Sequence, residues 1–232
     1  GVTAVSEDLK KDTYKHFNIT NEIRVIPNFI DLEKFQKQRK DHFKTAICPN
    51  GEKLLVHTSN FRKVKRVDDV VRIFKNVLET VPSRLLLVGD GPERGPIESL
   101  CRDLGIHDEV RFLGKLEAIE EVLSVADLFI MPSEKESFGL AALEAMACEV
   151  PVISSNAGGI PELNIDGVTG FTSPIGDVEE MTKNALHILS EDNLSKFKKG
   201  ALERAKEFDI EKILPLYEAF YTEVSESILA KN

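Results

Sequence analysis

Short, nearly unbroken apolar runs alternate along this chain with stretches whose apolar residues recur every third or fourth position. The runs fall at residues 23–26, 54–58, 85–89, 110–113, 128–131 and 152–154. A strand with one wet face alternates apolar and polar residues, so continuous runs predict parallel strands covered on both faces. The helical period falls at residues 67–80, 97–104, 119–125, 139–147, 178–189 and 194–208, with a short helical turn after Pro161. Alternating strands and helices predict a doubly wound, Rossmann-like parallel α/β sheet from about residue 50 to 209. Its crossovers are expected to be right-handed.

The two ends stand outside this alternation. Residues 1–30 predict a strand, a Lys-rich helix and a second strand. Residues 33–51 are polar, contain the turn Pro49-Asn50-Gly51, and read as a linker. Residues 211–230 predict a last helix with Leu214, Tyr217, Phe220, Tyr221 and Val224 on one apolar stripe. That stripe fits packing on its own domain and docking on another equally well.

Ligands of open α/β sheets bind at the carboxyl ends of the strands. Five segments are expected at that edge. After the run 128–131 come Glu136 and, eight positions on, Glu144, with Ser137, Phe138, Gly139 and Leu140 opening an Ala-rich helix. The unpaired amides of Phe138, Gly139 and Leu140 would attract an anion, with one acid on either side to hold hydroxyls. After the run 54–58, four of the five residues Arg62-Lys63-Val64-Lys65-Arg66 are basic. Arg62 and Lys65 are the candidates for holding phosphate. Gly89-Asp90-Gly91 predicts a tight turn, but the dinucleotide fingerprint is broken because the third glycine is displaced to Gly95 and Pro96 follows. Leu113-Gly114 ends another strand, where backbone groups can read the edge of a base. Gly158-Gly159-Ile160-Pro161-Glu162 follows the run 152–154, and its Glu162 suits either a ligand hydroxyl or the start of a helix.

Composition narrows the chemistry. The 232 residues carry a formal charge of −9, which excludes a general nucleic-acid surface. No apolar run reaches the roughly 20 residues that span a bilayer. The three cysteines, Cys48, Cys101 and Cys148, lack ligand spacing, and Cys101 and Cys148 fall on apolar helix faces, which suits a reducing cytoplasm. There is no nucleophile elbow, no Walker lysine loop and no His-x-x-x-His pair. His57, inside a strand, reads as a core residue rather than a base. A basic cluster can neutralise a diphosphate without a metal ion.

Six segments in order resemble the C-terminal half of the retaining glycosyltransferases of GT-B fold, the group 1 or family 4 enzymes. They are Val25-Ile26-Pro27-Asn28-Phe29-Ile30-Asp31, the Arg62/Lys65 loop, Leu87-Val88-Gly89-Asp90-Gly91-Pro92-Glu93, Val110-Arg111-Phe112-Leu113-Gly114, Glu136 to Ala147, and Gly158 to Glu162. Within that family, Ser59 to Val67 and Ser133 to Leu140 are similar to the subgroup that serves bacillithiol biosynthesis. The resemblance implies transfer of N-acetylglucosamine from UDP-GlcNAc to L-malate, with retention, in the cytoplasm and with no metal or other cofactor. It implies catalytic roles for Arg62, Lys65 and Glu136, and donor binding by Gly89, Leu113, Gly114, Ser137, Phe138, Gly139, Leu140 and Glu144. Glu144 would take the ribose diol and Leu113-Gly114 would meet uracil. It divides the chain into 1–50 (last elements of an N-terminal domain plus linker), 51–209 (donor domain) and 210–232 (a helix docking on the absent N-terminal domain). That domain would bring the small hydroxy-acid acceptor, so the chain is expected to be a fragment that binds donor and by itself turns over nothing. A noncatalytic nucleotide-binding module, or a family 4 enzyme with another acceptor, remains open. One departure is local. Relatives carry Gly where this chain has Glu149, and a left-handed backbone there would cost about 1 kcal/mol.

Overall fold

The computed structural model describes residues 1–37 and 41–229. It begins with β1 (Val2–Ala4), α1 (Glu7–His16), β2 (Ile23–Val25) and α2 (Asp41–Ile47). The main alternation follows as β3 (Lys53–Ser59), α3 (Val67–Leu78), β4 (Ser83–Gly89), α4 (Arg94–Asp103), β5 (Val110–Gly114), α5 (Ile119–Leu123) and β6 (Leu128–Met131). It continues with α6 (Leu140–Ala147), β7 (Val152–Ser155), α7 (Ile160–Leu163), β8 (Gly170–Ser173), α8 (Val178–Leu189), α9 (Glu191–Ala205) and α10 (Ile210–Leu229).

Strands β3 to β8 form one parallel sheet in the order β5-β4-β3-β6-β7-β8. This is the doubly wound α/β fold that the continuous apolar runs predict. Leu54 and Val56 of β3 join one core with Leu86, Phe129, Met131 and the apolar residues of α5 and α6. Leu55 joins the opposite core with Leu85, Leu87, Ile130 and the inner faces of α3, α4 and α8. From β3 the chain first winds outward through β4 to β5, then returns to β6 on the other flank of β3. The winding therefore reverses between β3 and β6, and their carboxyl ends diverge into a crevice.

Three expectations change. The polar segment 33–51 is not wholly a linker, because α2 lies within it and Phe43, Ile47 and Cys48 pack on the core. Residues 38–40 of that segment lie outside the described residues. Strand β8 has no apolar run. Gly170 has φ 158° and its α-carbon faces Val152 O, so bareness and pairing with β7 define this strand rather than hydrophobicity. Helix α4 starts at Arg94, three residues before the predicted start, because Pro is tolerated in a first turn whose amides lack partners anyway.

The chain ends meet. β1 pairs parallel with β2, and α10 covers them through Ile26, Ile213 and Phe220, with Tyr217 and Val224 alongside. The Tyr217 hydroxyl donates to Ile26 O at 3.0 Å and Arg24 pairs with Glu223 at 2.8 Å. Part of the apolar stripe thus packs on residues 1–30, while Leu214 and Tyr221 stay exposed. No helix among the described residues is long and apolar enough to cross a membrane.

Candidate active site

The crevice between β3 and β6 holds a cavity of about 380 Å³ lined by Ser59, Asn60, Lys65, Glu136, Leu140 and Glu144, among others. Two loops build it. After β3, Phe61 is fully buried with φ 38°, Lys63–Lys65 form a 3-10 turn, and Arg66 has φ 48°. Two non-glycine residues in left-handed backbone thus bracket the basic cluster. Such strain persists only where the surroundings fix it. Phe61 is fixed between His57 and Phe112, with ring centroids 6.3 and 6.4 Å away. Arg66 is fixed by Asp69 at 2.5 Å and Glu134 at 2.9 Å. After β6, Glu134 N donates to Val64 O at 2.8 Å, which joins the second loop to the first.

Lys65 Nζ and Glu136 Oε1 meet at 2.5 Å across the cavity. Gly139, φ 96°, turns the chain into α6, a conformation that side chains disfavour. Among the described residues, the amides of Phe138, Gly139 and Leu140 donate to no backbone carbonyl. Glu144 sits just over one turn into α6. Burial, opposed by Lys34 and helped by Glu120, pushes its carboxyl up to about 7. Ser133, fully buried, also borders the cavity, and its hydroxyl has no partner among the described residues.

A third layer holds the acid loop from behind. Gly159 N donates to Glu136 O at 3.0 Å, and a β-carbon at Gly158 would stand 2.0 Å from that same oxygen. Ser6, the buried N-cap of α1, donates its hydroxyl to Ser137 O at 2.6 Å. Glu162 accepts from Glu7 N at 2.9 Å and Asp8 N at 2.8 Å. Glu162 therefore caps α1 and is committed, whereas its sequence position suggested a ligand or its own helix start.

Lys65, Glu136, Leu140 and Glu144 thus share one cavity, with Gly139 at its helix start. Other expected residues lie differently. Arg62 belongs to the same loop but is exposed, makes no ion pair among the described residues and is not on the cavity wall. The Phe138 side chain is core, edge-on to Phe208 at 5.5 Å, so only its amide is available. Ser137 is exposed, with its carbonyl taken by Ser6. Gly89 ends β4 paired with Ser59. Leu113 lines a separate apolar cavity of about 480 Å³ with Phe43, Ile47, Leu86, Leu116 and Val122. Gly114 follows it with φ 68°. Thr58, Ser59, Asn60 and Ser133 line the Lys65 cavity without having been singled out. Their signal was position alone, since each ends or follows a predicted strand. Among the described residues, no group of three or more His, Cys, Asp or Glu side chains could hold a metal ion. The cysteines are free and buried.

Comparison with known proteins gives the family and the fold. The family model described as Glycosyl transferases group 1 matches residues 37–206. The chain is 42% identical over 229 residues to N-acetyl-alpha-D-glucosaminyl L-malate synthase of Bacillus anthracis, covering 96% of this chain and 59% of that protein. Sucrose-phosphate synthase from Thermosynechococcus elongatus superposes with a TM-score of 0.87 at 25% identity, over 97% of this chain and 58% of that one. Anabaena HepE in complex with UDP and glucose superposes with a TM-score of 0.86 at 22% identity, over 97% of this chain and 62% of that one. The chain spans about three fifths of the length of such relatives. A family match over more than half the chain makes this chain a member of the group 1 glycosyl transferases.

Proposed function

We propose that this chain binds UDP-GlcNAc as the donor half of a retaining hexosyltransferase, whose full-length form glycosylates a small hydroxy acid, L-malate. The observation that carries the reading is the convergence of Lys65, Glu136, Leu140 at the open start of α6, and Glu144 on one cavity at the point where the sheet reverses its winding. A cation beside unpaired amides suits a diphosphate. The partly buried Glu144 suits a diol, and Glu136 suits the sugar. As the bond to the anomeric carbon breaks, negative charge grows on the departing UDP. Lys65 stabilises that charge, and Arg62, in the same loop but exposed, is the second candidate for it. No metal ion enters this scheme. The likeness to an N-acetyl-alpha-D-glucosaminyl L-malate synthase supports the sugar and the acceptor. Gly89, Leu113 and Gly114 remain candidates for the nucleoside end.

Calorimetric titration with UDP in the presence of EDTA tests the reading. Binding at micromolar to low millimolar UDP is expected, and no heat at several millimolar overturns it. In full-length protein, UDP release from UDP-GlcNAc is expected to require malate among a panel of hydroxy acids. Release indifferent to malate removes the acceptor assignment alone.

A further inference from the structure

His57 lies at the end of β3, directly below the cavity, with no exposed surface. Its ring is held between Phe61 and Phe129, with centroids 6.3 and 6.4 Å away. Both ring nitrogens are engaged: Nδ1 stands 2.8 Å from Ile130 O and Nε2 stands 2.8 Å from Ser59 Oγ. A carbonyl oxygen only accepts, so Nδ1 must carry a proton and donate it. Burial, together with nearby Lys65 and despite the Ile130 carbonyl, pushes the imidazole down to about 4, so at neutral pH the ring is uncharged. The neutral ring has one proton, and Nδ1 holds it. Nε2 is then an acceptor, and Ser59 must donate its only hydroxyl hydrogen to it.

The consequence reaches the cavity. A serine hydroxyl has one hydrogen and two lone pairs. The hydrogen is committed to His57, and Phe61 N donates to one lone pair at 3.3 Å. What Ser59 offers to the cavity that it lines is one remaining lone pair. A phosphate oxygen, which carries no hydrogen at neutral pH, gains nothing there. A hydroxyl or an amide N–H does.

We infer that Ser59 is a specificity-determining residue of the donor site: locked by His57 as a pure acceptor, it takes a hydrogen bond from a hydroxyl or amide N–H of the sugar. His57 is its positioning residue. This rests on the donor-site reading above, in which Glu144 takes the ribose and Lys65 the diphosphate. With the ribose hydroxyls on Glu144 and uracil at Leu113-Gly114, the sugar is the part of the donor left to donate to Ser59, so Ser59 discriminates UDP-sugar from UDP.

Two measurements test this. In ligand-free protein, long-range proton–nitrogen spectra of labelled histidine are expected to show His57 as the neutral Nδ1–H tautomer between pH 6 and 8. The Nε2–H tautomer, or a charged ring, overturns the inference. Calorimetry then compares UDP with UDP-GlcNAc. Ser59→Ala is expected to weaken UDP-GlcNAc about 3- to 10-fold, one neutral hydrogen bond, while leaving UDP unchanged. Ser59→Thr keeps the hydroxyl and is expected to stay within about twofold of wild type for both, which separates a lost hydrogen bond from a disturbed loop. Equal weakening of both ligands in Ser59→Ala, or none, removes Ser59 from sugar recognition while the donor site stands. Failure of the wild type to bind either ligand removes the donor-site reading and this inference with it.

Discussion

Replacing Glu144 by Gln should remove a pH effect that is unusual for a carboxylate. Burial raises the titration of Glu144 from the model-peptide 4.5 to about 7, with Lys34 opposing and Glu120 adding to the shift. In the unfolded chain the group ionises near 4.5, whereas in the fold it keeps its proton until about 7. Its contribution is therefore fully present below the unfolded value and is lost as pH rises through the folded one. At about 1.4 kcal/mol per tenfold change in proton affinity, the loss between pH 4.5 and 8 approaches 3 kcal/mol. The carboxyl is partly exposed, and solvent screening lowers the figure to about 2 kcal/mol. Gln mimics the neutral acid at every pH and carries no such penalty. Urea unfolding of both proteins between pH 4.5 and 8.5 reads the difference directly, because all other titrations cancel. The variant is expected to gain on the wild type by about 2 kcal/mol as pH rises, the gain building up between the unfolded 4.5 and the folded value of about 7 and levelling off above it. Stability curves that run parallel across the range would show that Glu144 is not desolvated in the fold.

Asp127→Ala is expected to cost about 3–5 kcal/mol in urea unfolding, because it leaves Lys198 buried without the carboxylate that stands 3.0 Å away. Although burial by itself raises Asp127, Lys198 and Lys44 hold it below the usual carboxylate range, so its contribution is present above the unfolded value and falls away in acid, opposite to Glu144. A loss under 1 kcal/mol would sink that account. Glu149 has φ 60° at the end of α6, where Glu149 N donates to Met146 O and Val150 N to Ala145 O. Glu149→Gly should stabilise by about 0.5–1 kcal/mol, the relief outweighing the exposed Lys37 pair at 3.5 Å. A lower urea midpoint would refute it. Gly158→Ala should weaken UDP and destabilise more than Gly167→Ala, since both are left-handed but only the first meets Glu136 O, at 2.0 Å. Glu136→Gln should bind UDP about tenfold tighter at low salt and less so at high salt, where charge is screened; weaker binding would contradict the pairing with Lys65.

The sheet was legible because each strand is covered on both faces. The run 54–58 became Lys53–Ser59, and 128–131 became Leu128–Met131 without change. What escaped was stabilised by partners distant in sequence. The helix α2 was too short and polar to show a period, and Phe43 and Ile47 acquire meaning only beside Val122 and Leu86. Glu162 read as a helix-start acid of α7, yet its carboxylate caps α1 across 154 residues of sequence. No local pattern encodes that choice. At the site, the structure brings Lys65, Glu136 and Glu144 to one cavity, as their places beyond the strands predict. Arg62 was read by the same rule, but the 3-10 turn at Lys63–Lys65 sends it outward while Lys65 turns in. Spacing gives the loop and not the direction of a side chain within it.

The resting site is electrically closed. Lys65 does not wait with an open charge; it is paired with Glu136 at 2.5 Å, and both groups are largely screened from solvent by the protein. On the reading proposed above, an incoming diphosphate takes Lys65 from Glu136, and the carboxylate so released stands near the phosphates unless it gains a partner of its own. The sugar hydroxyls of a complete donor are such partners, whereas UDP alone brings none. Loop 132–139 cannot swing away to relieve the repulsion, because Ser6, Gly159 and Val64 pin its backbone on three sides. The penalty for a bare nucleotide is thus a property of the fold, and it favours the intact donor over the product that follows it. That is why removal of the Glu136 charge is expected to tighten UDP, and why the rigidity of the loop, set by residues outside the cavity, decides how much.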